Sequence, residues 1–167
     1  ESVILCGWHR DVYNIWLESL KEFNPAMYTG TESITQKEKS KQAFLSGESK
    51  VLIISNRSGA GLDGLQYHPT CKTIVIGELD WSPGVHDQCI GRLDRDGQTK
   101  EIVAFFLLTD SGSDPIIADI IGVKKMQLEN VRDPNINIIE ELEIDKGGIK
   151  QLASSLLDRY NIASEAK

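Results

Sequence analysis

Three absences narrow the reading of this 167-residue chain. No apolar run approaches the 18 or so residues of a membrane span, and no secretory leader opens it, so a soluble, intracellular protein is expected. Opening on Glu1 and an apolar strand, without Met, the chain reads as a segment of a longer protein. Cysteine is scarce: Cys6, Cys71 and Cys89 are odd in number and have no CxxC spacing. They read as small core residues of a reducing compartment, not as a disulfide framework. Together with His9, His68 and His86 they make no metal-ligand spacing, so no structural metal is expected. Basic charge is also short. The formal net charge is −7, which argues against gripping nucleic acid by bulk electrostatics and leaves only a local basic strip possible. No internal repeat is found.

The apolar residues alternate between two patterns. Residues 3–6, 26–30, 50–55, 73–78 and 101–109 read as strands. Helical spacing fills much of the space between them. Val12, Ile15, Trp16 and Leu20 would share one side of a first helix that Asn24-Pro25 stops. Thr35, with Glu38 three residues on, reads as the capping box of a second helix that Gly47 ends. Ser82-Pro83 reads as N-cap and first position of a third, with Gly97 as its stop. Strands apolar throughout imply a mainly parallel sheet covered on both faces, hence a three-layer α/β domain. A further helix carries Ile116, Ile117, Ile120, Ile121 and Val123. From about residue 129 the chain turns acidic and irregular before a last amphipathic segment, 149–160. The expected division is a domain over 1–128 and a connection with a C-terminal helical extension over 129–167.

Two features carry chemistry. After the 50–55 strand, Gly59, Gly61 and Gly64 satisfy GxGxxG, and Glu78 lies where a ribose-binding acid would be welcome. A dinucleotide-binding oxidoreductase is therefore one alternative. It is weakened because only eight residues, Pro69 among them, separate Gly64 from Thr73, which leaves no room for the crossover helix. The loop can still present backbone N–H groups and small side chains to a ligand at a strand's carboxyl end. The second feature is QCIGRLDRDGQ, 88–98. On a helix, Gln88, Arg92 and Arg95 would form a single stripe. Arginine holds phosphate through a planar fork that keeps its charge. Pairing with Asp87, Asp94 or Asp96, or with the helix dipole, is the plainer account of the same residues.

These motifs, in order, resemble the second RecA-like lobe of Swi/Snf-type ATPases of helicase superfamily two. Ser55 leads the loop, and Gly59, Gly61 and Leu62 match it. Asp80, Trp81 and Pro83 match the turn that follows, and Gln88, Gly91, Arg92, Arg95, Gly97 and Gln98 match the final motif. The likeness extends over roughly 2–128. It departs at Asp63, Asp94 and Asp96, where extra acid would weaken the arginines' field or tie them up. The resemblance implies a RecA-like fold and a motor lobe of an ATP-dependent DNA translocase. Arg95, assisted by Arg92 and Gln88, would act on the γ-phosphate, with Gly61 and Asp63 lining the nucleotide cleft. Ser55, Asn56, Arg57 and Trp81 would lie along the nucleic acid, with double-stranded DNA the expected form. GxxxxGK[ST] and a DEAH-like segment are missing, so ATP and Mg²⁺ would be held mainly by a first RecA-like lobe, and this lobe alone would be inactive. The compartment would be the cytoplasm, nucleoid or nucleus, with no membrane partner. The competing class is a non-catalytic RecA-like scaffold.

Overall fold

A computed structural model describes residues 1–56, 61–109, 113–119 and 121–122. Its elements run β1 (Val3–Gly7), α1 (Arg10–Ser19), β2 (Ala26–Tyr28), α2 (Ile34–Leu45), β3 (Val51–Ser55), β4 (Thr73–Ile76), α3 (Pro83–Ile90) and β5 (Val103–Phe106). The five strands form one sheet in the order β2-β3-β1-β4-β5, and every pairing is parallel.

Strand residues alternate between two cores. Ile4, Cys6, Leu52, Ile54, Ile74 and Ile76 pack on one face with Phe44 of α2 and Cys89 of α3. Leu5, Val51 and Ile53 pack on the other with Tyr13, Trp16 and Leu17 of α1. Helices therefore cover both faces, as the apolar strands require. The chain divides into two compact units, Glu1–Leu108 and Thr109–Lys167. In the second, residues 114–119 and 121–122 are helical and Ile117 is buried. Ile120, Val123, the 128/129 boundary and the 149–160 segment lie outside the described residues.

Four local expectations are corrected. The buried side of α1 is Tyr13, Trp16, Leu17 and Leu20, whereas Ile15 is 62% exposed. The cap of α2 is Ser33, whose hydroxyl accepts from Gln36 N–H at 3.3 Å while Gln36 Oε1 accepts from Ser33 N–H at 2.9 Å. Thr35 already lies inside that helix, because Ser33-x-x-Gln36 competes for the same start and closes both bonds. The run 101–109 supplies only a short strand, which among the described residues pairs with β4, and Val103, Phe105 and Phe106 are exposed. Finally, α3 ends at Ile90, well before Gly97.

Trp16 explains how α1 is seated. A Cβ on Gly7 would fall 2.6 Å from its ring, and one on Gly77 2.5 Å away. The glycines leave the slot that the indole fills. Gly77→Ala is expected to destabilise the fold by roughly 1–3 kcal/mol, read as a lower thermal unfolding midpoint. An unchanged midpoint would mean that the indole is not held there.

Candidate functional site

The carboxyl ends of β1, β3 and β4 lie side by side, which is where open parallel sheets bind ligands. Glu78, just past β4, is turned inward to the chain's own backbone. Its Oε2 accepts from Trp8 N–H at 2.6 Å and His9 N–H at 2.9 Å, and Oε1 meets His9 Nδ1 at 2.6 Å. It thereby caps α1, whose N-cap residue His9 makes no side-chain capping bond to the helix. Burial pushes the Glu78 carboxyl up, but these hydrogen bonds outweigh it and hold the group below its ordinary value. A carboxylate so engaged is not offered to a ribose. Between Gly64 and Thr73 there is only a 3₁₀ turn, Leu65–Tyr67, so the crossover helix of a dinucleotide site is absent.

The loop after β3 is aimed by its glycines. Gly61 and Gly64 have φ of +85° and +93°, and between them Leu62 is fully buried while Asp63 faces out. Asn56 turns inward: it is 3% exposed, and its Nδ2 donates to Glu78 O at 3.1 Å. Ser55, 8% exposed, lines a cavity of about 270 Å³ with Trp8, Arg10, Tyr13, Thr29 and Thr31. Trp81 is half-exposed at the entry to α3, whereas Arg57 and Gly59 lie outside the described residues.

Pro83 does open α3 and Ser82 does hold the N-cap position, but the Ser82 side chain makes no capping bond. Asp80 Oδ1 accepts from Ser82 N–H at 2.9 Å, and Asp80 N–H donates to His86 Nε2 at 2.9 Å. His86 is 2% exposed, and burial lowers its pKa. His68 is also buried and held below its ordinary value, chiefly by burial. Its Nε2–H donates to Phe44 O at 2.8 Å, and Nδ1 accepts from Thr70 and Cys71 N–H.

The arginines therefore do not form a helical stripe. Past Ile90 the chain tightens: Arg92 N–H donates to Cys89 O at 3.1 Å and Leu93 N–H to Ile90 O at 2.9 Å, both i to i−3 bonds. Leu93, fully buried, accompanies the change of winding. Gln88 is exposed on the last turn of α3, Arg92 is half-buried, and Arg95 projects from the following turn. That turn is closed by Gln98 N–H on Arg95 O at 2.9 Å and by Gly97 at φ +95°. The Arg95 guanidinium meets the Asp63 carboxylate, an acid outside its own segment. The glycine loop and the arginine motif are thus brought together, whereas Ser55, Asn56 and Trp81 belong to neighbouring parts of the same sheet end.

The lobe is thus a parallel α/β domain whose glycine-turned loop and arginine turn face each other. The helicase conserved C-terminal domain model matches residues 1–97, and the chain belongs to that family. Its fold is the RecA-like one of helicase C-terminal lobes. Human "Lymphoid-specific helicase" is 31% identical over 108 residues, covering 64% of this chain and 12% of that protein. The chain thus spans a small part of that relative. Among solved structures, the C-terminal part of the Fun30 ATPase domain matches with a TM-score of 0.64 at 19% identity, covering 78% of this chain and 46% of that one. The E. coli DEAD-box protein SrmB matches at 0.62 and 18% identity, covering 74% and 69%. These two likenesses are of fold. Among the described residues no helix is long and apolar enough to cross a membrane.

Proposed function

We propose that this chain is the second motor lobe of an ATP-dependent DNA translocase, with Arg95 as the residue that reaches the γ-phosphate. The observation that carries this reading is the mounting of Arg95. Its backbone is fastened by Gln98 and by the buried Leu93, while its side chain is 42% exposed beside the glycine loop. A guanidinium on a backbone so held can meet charge that develops on a phosphoryl group. Arg92 and Gln88 would assist, and Gly61 and Asp63 would line the cleft. Adenine nucleotide and Mg²⁺ would be held mainly by a first lobe, which carries the phosphate cradle that this sequence lacks, so the lobe alone would not turn over ATP. When bound, the metal supplies charge to the phosphates; what this chain adds is Arg95.

The nucleic acid would cross the carboxyl ends of β1, β2 and β3. Ser55 and Arg57 are the proposed backbone contacts, and Trp81 would flank the track. The inward-turned Asn56 would act by holding its loop. The cavity beside Ser55 adds Arg10, exposed in the first turn of α1. Arg10→Glu is expected to weaken binding of a labelled DNA duplex at low salt and to reduce the salt slope by about 1. Binding and slope equal to the parent's would remove this face from the proposal.

A non-catalytic scaffold draws on the Arg95–Asp63 pair, in which the fold neutralises its own arginine. Against it stands the exposure of both side chains, 42% and 67%, which leaves them open to exchange partners.

A further inference from the structure

Asp63 and Arg95 lie 32 positions apart and are presented to each other by separate loops. Each backbone is anchored independently of the pair. Leu62 is fully buried beside Asp63, between the left-handed Gly61 and Gly64. Leu93 is fully buried before Arg95, and Gln98 Nε2 donates to its carbonyl at 3.3 Å. An exposed ion pair between loops already fastened in this way adds little to the fold, because water and salt screen it. Its effect is local: it sets the direction of the Arg95 side chain and offsets part of its charge.

We propose that Asp63 is a positioning residue for Arg95, a counter-ion that holds the guanidinium at the rim until a nucleotide phosphate displaces it. The proposal rests on the reading of Arg95 as the phosphate-facing arginine. A free arginine samples many rotamers, and a planar carboxylate partner limits them. The same carboxylate is a fixed negative charge next to the place a polyphosphate must enter. Nucleotide arrival then has two costs beyond desolvation: the pair is broken, and like charges approach. Asparagine at this position keeps the shape and a hydrogen-bonding oxygen but removes the charge, so both costs fall.

In a protein that carries this lobe together with a first lobe, Asp63→Asn is expected to lower KM for ATP roughly two- to fivefold, the scale of an exposed pair. In the Arg95→Ala background Asp63→Asn should lower KM by less, because the part of the cost that acts through the arginine is already gone. An unchanged or raised KM overturns the proposal. So does an equal fall in KM in the Arg95→Ala background, which would mean that Asp63 only repels phosphate. Turnover that survives Arg95→Ala would instead remove the underlying finger reading, and this proposal with it. A second readout needs no nucleotide. In the 167-residue chain the Arg95 guanidinium protons should be slowed in solvent exchange and should speed up on Asp63→Asn. Exchange that does not change overturns the pairing in solution.

Discussion

Arg95→Ala, in a protein that joins this lobe to a first lobe, is expected to reduce DNA-stimulated ATP turnover by about 10³-fold or more. The fall should appear in kcat, with a much smaller change in KM, because a guanidinium acting as proposed would meet charge that grows only as the phosphoryl group transfers. The geometry makes this a clean substitution. The Arg95 backbone is tied by Gln98 N–H and followed by Gly97 at φ +95°, so the turn survives loss of the side chain. Arg95→Lys should recover little, since an ammonium lacks the planar fork. A loss below tenfold with folding intact would count against Arg95 as the finger.

Glu78→Ala is expected to lower stability by about 1–3 kcal/mol, read by denaturant or thermal unfolding. The carboxylate is the shared acceptor for Trp8 N–H, His9 N–H and the His9 ring, and alanine leaves all three without it. Glu78→Gln should recover part of the loss through its carbonyl oxygen. The same group gives a pH signature. Its folded pKa lies below the ordinary 4.5, so the native state binds fewer protons in acid than the unfolded chain does. The stabilisation is complete above the unfolded value and is lost as pH falls through the folded one. The parent should therefore lose stability on acidification below about 4.5, and Glu78→Ala should lose correspondingly less. Parallel pH curves would show that Glu78 is not the cap.

The layered α/β fold was legible because burial on both faces makes β1, β3 and β4 continuous apolar runs, which few other contexts tolerate. The face of α1 was harder to read. Periodicity weighed Ile15 with Trp16, but the seat is cut by Gly7 and Gly77, and no pattern within the helix records a slot on the sheet. The start of α2 was ambiguous because two capping boxes overlap by two residues. The length of α3 was overestimated. No proline lies between Ile90 and Gly97, and the change of winding after Ile90 accompanies burial of Leu93, a tertiary event.

The site shows the same limit. Both arginines, the glycine loop and the out-of-pattern Asp63 could be picked from the sequence, since each is a residue type with local meaning. That extra acid at Asp63 would tie up an arginine follows from its departure from the family pattern; that the arginine is Arg95 could not be read, because the two lie 32 positions apart. Glu78 drew attention as a ligand acid. Its work as the cap of α1 depends on β4 lying beside β1, which becomes visible only with the strand order. Arg10 and Thr29 gave no motif signal and share a cavity with Ser55 only through the fold.

The finger assignment is tested most directly by binding rather than by rate. Affinities of the two-lobe protein for ADP alone and for ADP with aluminium fluoride, a mimic of the transferring phosphoryl group, should be compared before and after Arg95→Ala. Weakening of the fluoride complex by at least about 100-fold, with ADP affinity nearly unchanged, is the expected result. Equal affinities of parent and variant for the fluoride complex would contradict it.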